Sequence, residues 1–298
     1  MRFNTDHYFH IGKPHVTAGV PCQDYALSID QEDSALAIVS DGCSTGRHTD
    51  VGSRLVTLAF KQAIADTKRF RPDTVFDHLS HELRARFDVN IAQTKTLLGL
   101  HQDDLLATCV YAHASMQKLI AHIVGDGVIA VKYLSGDIEL FRFDWDDNTP
   151  YYPCYTNGSV DKFIEVHGGD LAGERLTVEH WRGVSEEWEQ QETDRHSLLA
   201  GMRGLTVERE PDNILCVAVF SDGVTQIQGI DWKDAVHQFL AFKNTTGVFL
   251  KRRMARAIRD IEKEGGMLLD DIAGAAIHLE QNEETIHDDD QESNSRPS

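Results

Sequence analysis

Two short apolar runs in this chain end in the same three residues. Ala35-Leu36-Ala37-Ile38-Val39 runs into Ser40-Asp41-Gly42, and Cys216-Val217-Ala218-Val219-Phe220 runs into Ser221-Asp222-Gly223. A third run, Leu119 to Val124, stops at Gly125-Asp126-Gly127. Runs of this length bounded by turn residues read as buried β-strands. Each ends in a carboxylate beside a glycine, which lets the backbone bend sharply. Carboxylates at several strand ends aim hard oxygen atoms at one point. The spacing is too irregular for a repeat protein, so the echo marks segments that meet in space.

The remaining β-like runs fall into blocks. Tyr25–Ile29 and Leu36–Val39 form the first; Leu105–Ala114, Lys118–Val124, Val128–Tyr133 and Ile138–Phe143 the second; Ile214–Phe220 and Ile272–Leu279 the last. Helical periodicity lies between them. Val51, Leu55, Leu58 and Ala59 share a face, as do Val75, Leu79, Leu83, Phe87 and Ile91. Val236, Phe239 and Leu240, then Met254, Ala257, Ile258 and Ile261, predict two late helices. Strand groups separated by helix pairs, without βαβ alternation, predict an α+β layered fold. Residues 144–212 mix Trp145, Tyr151, Tyr152, Trp181 and Trp188 with many charges and read either as an insertion over a groove or as irregular edge structure.

Composition excludes several classes. With 298 residues, 41% of them hydrophobic, the chain can bury a sizeable core, and no linker divides it. The domain is expected over 1–280. Net charge is −19, a poor match for nucleic acid or an anionic membrane. Six acids against Arg296 alone fall in 281–298, which predicts a disordered acidic tail. No apolar stretch reaches the roughly 20 residues of a membrane span, and the N-terminal residues lack a signal-peptide layout. Cys22, Cys43, Cys109, Cys154 and Cys216 are odd in number and never spaced as CxxC, against a disulfide framework or zinc site. The expected location is cytoplasmic.

More acids join the echo. Asp24 closes Gly19-Val20-Pro21-Cys22-Gln23-Asp24 just before the first strand, and Asp270-Asp271 precede the last. One Asp-Gly after a strand is ordinary turn chemistry; four acids at strand boundaries in this order are a stronger pattern. With His15 to Asp24, Ser40 to Gly46, Gly52-Ser53, Ala107-Thr108, Val124 to Gly127, Phe220 to Gly223 and Asp270-Asp271-Ile272, the chain resembles the metal-dependent protein phosphatases of the 2C type, and more closely their compact bacterial branch. The resemblance spans about residues 10–280. It implies a four-layer αββα sandwich of two antiparallel sheets flanked by helix pairs. It implies metal ligation by Asp24, Asp41, Asp222 and Asp270 and by the Gly42 carbonyl, with Asp126 joining Asp222 at a third, weaker metal. Asp271 falls where the family has Asn and reads as a turn residue.

The implied activity is a serine/threonine protein phosphatase hydrolysing phosphomonoesters by a metal-bridged hydroxide. Two Mn²⁺ or Mg²⁺ ions suit such an oxygen-rich site, and no Cys-x5-Arg loop offers a nucleophile instead. The implied partners are a phosphoserine or phosphothreonine protein and a cognate kinase, with no nucleic acid and no membrane. The chain departs from the animal-type pattern in two places. Cys43 replaces the His after the first Asp-Gly and reads as a small filler, and no Arg lies upstream of Asp24 to grip phosphate. His48 is the candidate general acid. His15 is the candidate phosphate anchor, with Lys13 and Arg47 as other nearby cations. Two rival functions stand beside this one: a catalytically weak pseudophosphatase that binds phosphoproteins, and a hydrolase of small phosphate esters.

Overall fold

The computed structural model describes residues 1–70 and 81–280. The expected acidic tail over 281–298, and Val75 and Leu79 of the longer helical pattern, lie outside the described residues.

Two antiparallel sheets stack face to face. Elements are numbered from the N-terminus. The first sheet runs β1 (Arg2–His10), β14 (Ile272–Glu280), β11 (Ile214–Phe220), β6 (Gly127–Tyr133), β7 (Ile138–Trp145), β8 (Glu174–Val184) and β9 (Glu187–Ser197). The second runs β10 (Leu205–Arg209), β5 (Leu119–Val124), β4 (Cys109–Ser115), β3 (Ser34–Ser40) and β2 (Tyr25–Asp30). A two-residue pair, β12 (Ile227–Gln228) and β13 (Met267–Leu268), stands apart. The helices are α1 (Lys13–Ala18), α2 (Thr49–Phe70), α3 (His81–Leu98), α4 (Val160–Val166), α5 (Leu198–Arg203), α6 (Trp232–Phe239) and α7 (Phe249–Lys263).

The apolar runs lack polar alternation because both faces of each sheet are covered. In β11, Val217 and Val219 face the other sheet, while Cys216, Ala218 and Phe220 face α6 and α7. In β3, Ala35, Ala37 and Val39 face inward, while Leu36 and Ile38 meet Val56, Phe60 and Phe87 of α2 and α3. Side chains alternate across a strand, so one continuous run feeds two cores. The layers are therefore α2/α3, second sheet, first sheet, α6/α7, the sandwich the resemblance implies.

The stretch 144–212 is not one irregular loop. It carries β8, β9 and β10, which extend both sheets, besides α4 and α5. The long β8–β9 hairpin folds back on α6: Trp188 Nε1 donates to Asp234 Oδ1 at 2.9 Å, and Lys233 Nζ sits 4.3 Å from the centre of the Trp181 ring. Only residues 148–167 of this stretch reach the cavity described next.

Candidate active site

The strand ends meet at a cavity of about 600 Å³. Asp24, Asp41, Asp126, Asp222 and Asp270 all line it, with Gly42 beside them. Asp24 and Asp126 are buried; the other three are half-buried.

Hydrogen bonds frame the turns that carry Asp41, Asp222 and Asp270. The Asp41 N–H donates to Thr108 Oγ1 at 3.0 Å, the Thr108 N–H to the Asp41 carbonyl at 2.8 Å, and Ser40 Oγ to the Thr108 carbonyl at 2.5 Å. Ala107-Thr108 is thus a clamp on the first Ser-Asp-Gly turn. On the second, Ser221 Oγ accepts the Ala273 N–H at 2.9 Å. The glycines are needed for close approach: a Cβ on Gly42 would lie 2.5 Å from the Thr49 carbonyl oxygen, and one on Gly223 would lie 1.8 Å from that of Asp271. Gln226 donates from Nε2 to Asp222 Oδ2 at 2.9 Å and to Asp270 Oδ2 at 3.4 Å, joining two acids from different loops.

Asp271 is more than a turn residue. It is 2% exposed, and its carboxylate accepts the N–H of Gly12 at 2.7 Å and of Gln23 at 2.6 Å. His15 Nδ1 lies 2.9 Å from the same carboxylate. These contacts fasten the Gly12–Gln23 segment, and with it Asp24, to the start of β14. His15, Asp270 and Asp271 offer polar atoms within 4.8 Å of one another, but both Asp271 oxygens already serve this scaffold.

Neither candidate histidine lines the cavity, although His15 comes within 4.8 Å of Asp270 and Asp271. His15 packs against Asp271 outside the cavity lining, and His48 is exposed beside α2, contributing its carbonyl to the N–H groups of Val51 and Gly52. Lys13 and Arg47 are likewise exposed and outside the lining. Cys43 does line the cavity, with Sγ 3.1 Å from Thr45 Oγ1.

The electrostatics are those of a crowded anionic floor. Burial, with the charges of Asp271 and Asp222, pushes the Asp24 carboxyl well above the usual range, despite contacts to Asp41 and Ser221 that favour its ionised form. Loss of water, then the charges of Asp24 and Asp222, does the same to Asp41. Burial and Asp222 raise Asp126. Asp270 is raised by burial, partly offset by the Asp271 N–H, with Asp222 adding to the rise. Asp24 Oδ2 is buried and has no hydrogen-bond partner. A buried carboxylate oxygen without a donor, among like charges, is costly unless a cation meets it. The donors present, carboxylates and a main-chain carbonyl, suit hard divalent ions.

The sequence profile of the family Protein phosphatase 2C matches residues 11–261. The chain belongs to that family. As a member it is a metal-dependent protein phosphatase, a hydrolase. Solved structures agree on the fold. Serine/threonine phosphatase Stp1 from Staphylococcus aureus is 14% identical, with a TM-score of 0.55 over 94% of this chain and 96% of that one. A bacterial serine phosphatase is 15% identical, with a TM-score of 0.55 over 93% and 98%. No curated protein matches the chain.

In this 2C-type chain the far wall of the cavity escaped the sequence motifs. Asn148, Tyr152, Tyr155, Lys162 and His167 line it. An aromatic cluster packs it: Phe163 lies 5.0 Å from Tyr151 and 5.3 Å from Tyr155, and Tyr152 lies 5.6 Å from Tyr155. Burial, then the adjoining Cys43, raises the Tyr152 hydroxyl. Burial and Arg175 lower His167. The aromatic pairs of 144–155 were a usable signal, but nothing in the sequence marks which side of the sheet they face.

Proposed function

We propose that Asp24, Asp41, Asp222, Asp270 and the Gly42 carbonyl hold a pair of Mn²⁺ or Mg²⁺ ions, that Asp126 and Asp222 contribute to a third, and that the substrate is a phosphoserine or phosphothreonine side chain of a protein. The observation that carries this reading is the unpartnered, buried Asp24 oxygen in a cavity that Asp41, Asp126, Asp222 and Asp270 also line. When bound, divalent ions neutralise phosphoryl charge and make a water more acidic. The chain's own residues hold and aim: Thr108 fixes Asp41, Gln226 spans Asp222 and Asp270, and Asp271 ties Asp24 into the same frame. Attack of water on phosphorus, in line with the seryl or threonyl oxygen, breaks the bond from phosphorus to that oxygen, which takes up a proton released by the water. The products are the free hydroxyl side chain and inorganic phosphate, with no phosphorylated enzyme.

None of the expected ligand positions has lost its aspartate, which disfavours a pseudophosphatase. All five cysteines are free thiols, which fits a reducing, cytoplasmic setting. A cognate kinase supplying the phosphoprotein belongs to the same reading. Among the described residues no helix is long and apolar enough to cross a membrane. The test is phosphate release from a phosphothreonine peptide with Mn²⁺ and with EDTA. Release with Mn²⁺ alone supports the reading; equal release with EDTA overturns the metal role. Turnover of p-nitrophenyl phosphate without turnover of any phosphopeptide favours the small-ester rival.

A further inference from the structure

A phosphate dianion entering this cavity meets six aspartates in its lining, Asp103 besides the five already described, and the protein must still balance its charge. The cations near the N-terminal motif do not do so. His15 is engaged with Asp271, while Lys13 and Arg47 lie outside the lining. Among the described residues, Lys162 of α4 is the one Lys or Arg that lines the cavity. It belongs to α4 on the wall and shares the cavity with the acids. No carboxylate among the described residues pairs with its ammonium. Its neighbour Phe163 is buried in the aromatic cluster with Tyr151 and Tyr155, so the backbone that carries Lys162 is anchored while the side chain stays exposed. An exposed lysine without an acidic partner offers an uncommitted ammonium on a flexible stem, which suits capture of a phosphate as a point charge.

We propose that Lys162 is the protein's phosphoryl anchor, contacting the phosphate of the bound phosphoserine or phosphothreonine and of the released product. The proposal rests on the phosphatase reading above. It assigns to the wall the role that the sequence motifs suggest for the loop before Asp24.

Inorganic phosphate is the probe. Its inhibition constant, and KM for a phosphothreonine peptide, are measured on the Mn²⁺-loaded parent, Lys162→Ala and Lys162→Arg. Loss of one charge-assisted contact predicts a rise of about tenfold or more in both constants for Lys162→Ala. Lys162→Arg should restore most of the loss, and Mn²⁺ affinity by calorimetry should not move. Unchanged phosphate inhibition overturns the proposal, even where KM for an acid-flanked peptide rises, because Lys162 then reads a neighbouring side chain. A matching fall in Mn²⁺ affinity also overturns it, since the effect is then structural. If the parent releases no phosphate from any peptide, the phosphatase reading fails by itself. Calorimetric titration of phosphate into the Mn²⁺-loaded parent and Lys162→Ala still decides: weaker binding to the variant supports the anchor, and equal or absent binding to both overturns it.

Discussion

The floor and the wall of the cavity are built on opposite plans. The floor is made of strand ends, and its turns are fixed by short main-chain bonds such as Thr108 N–H to the Asp41 carbonyl and Ser221 N–H to the Ala273 carbonyl. The wall, residues 146–167, has two short 3-10 turns and one short helix and is fixed by packing. Trp145 joins the two: its Nε1 donates to the Gly125 carbonyl at 2.8 Å, next to Asp126. A floor locked by sheet register tolerates loss of a charge without loss of shape. A wall held by rings loses shape when a ring is trimmed. Changes on the floor should therefore act on metal and rate, and changes on the wall on stability and substrate.

The largest effect should come from the floor. Asp41→Asn and Asp222→Asn preserve volume and remove one charge from the proposed metal shell. Activity at saturating Mn²⁺ should fall at least ~10²-fold, as when a group that stabilises transition-state charge is removed, with circular dichroism unchanged. An Asp222→Asn protein as fast as the parent would break the assignment.

Next is the response to metal and pH. Asp24, Asp41, Asp126 and Asp270 titrate above their usual values in the metal-free fold. The fold thus binds protons that the unfolded chain releases, and stability falls as pH rises through the raised values. The lowered histidines, such as His167 and His278, work the other way, since the unfolded chain binds their protons more readily. They act with or without metal, so the difference between melts in Mn²⁺ and in EDTA isolates the acids. That difference should widen from pH 5 to pH 8 and reach about 2.7 kcal/mol at a hundredfold excess of Mn²⁺ over its dissociation constant. A difference that is flat in pH would mean the acids do not share a cation.

This division also decides what the sequence reveals. The floor is legible because its acids terminate doubly buried strands, whose apolar runs and turn glycines are local signals. The same logic gives β3, β5, β6 and β11 nearly to the residue. β1, β8 and β9 leave no such run: they lie at or near a sheet edge, and β9 is exposed along most of its length. The role of Asp271 is hidden because its partners, Gly12 and Gln23, are about 250 residues away in sequence. His15 and His48 are the right chemical types in the right motif neighbourhoods. Proximity in sequence does not put them in the cavity, and Lys162, outside every motif, lies there.

On the wall, Trp145→Phe should be the most damaging single change. It removes the donor to the buried Gly125 carbonyl and opens space where Gly201 packs against the indole. An unsatisfied carbonyl and a small void together predict a loss of about 3 kcal/mol in chemical denaturation. If the loss is below about 1 kcal/mol, the wall is not held by this ring.

The smallest effect should come from the two histidines, and their difference sharpens the boundary between scaffold and surface. His15 touches Asp271, which holds the segment leading to Asp24, so His15→Ala should loosen one floor ligand indirectly. Mn²⁺ affinity should drop roughly threefold, about 0.7 kcal/mol, while KM for the phosphopeptide at saturating Mn²⁺ stays unchanged. His48 is exposed and contributes only its carbonyl; His48→Ala should alter neither constant, nor the acidic limb of the pH–rate profile. Loss of that limb in His48→Ala would restore His48 as the proton donor to the leaving group. A raised KM in His15→Ala with Mn²⁺ affinity intact would return the phosphate anchor to the loop before Asp24.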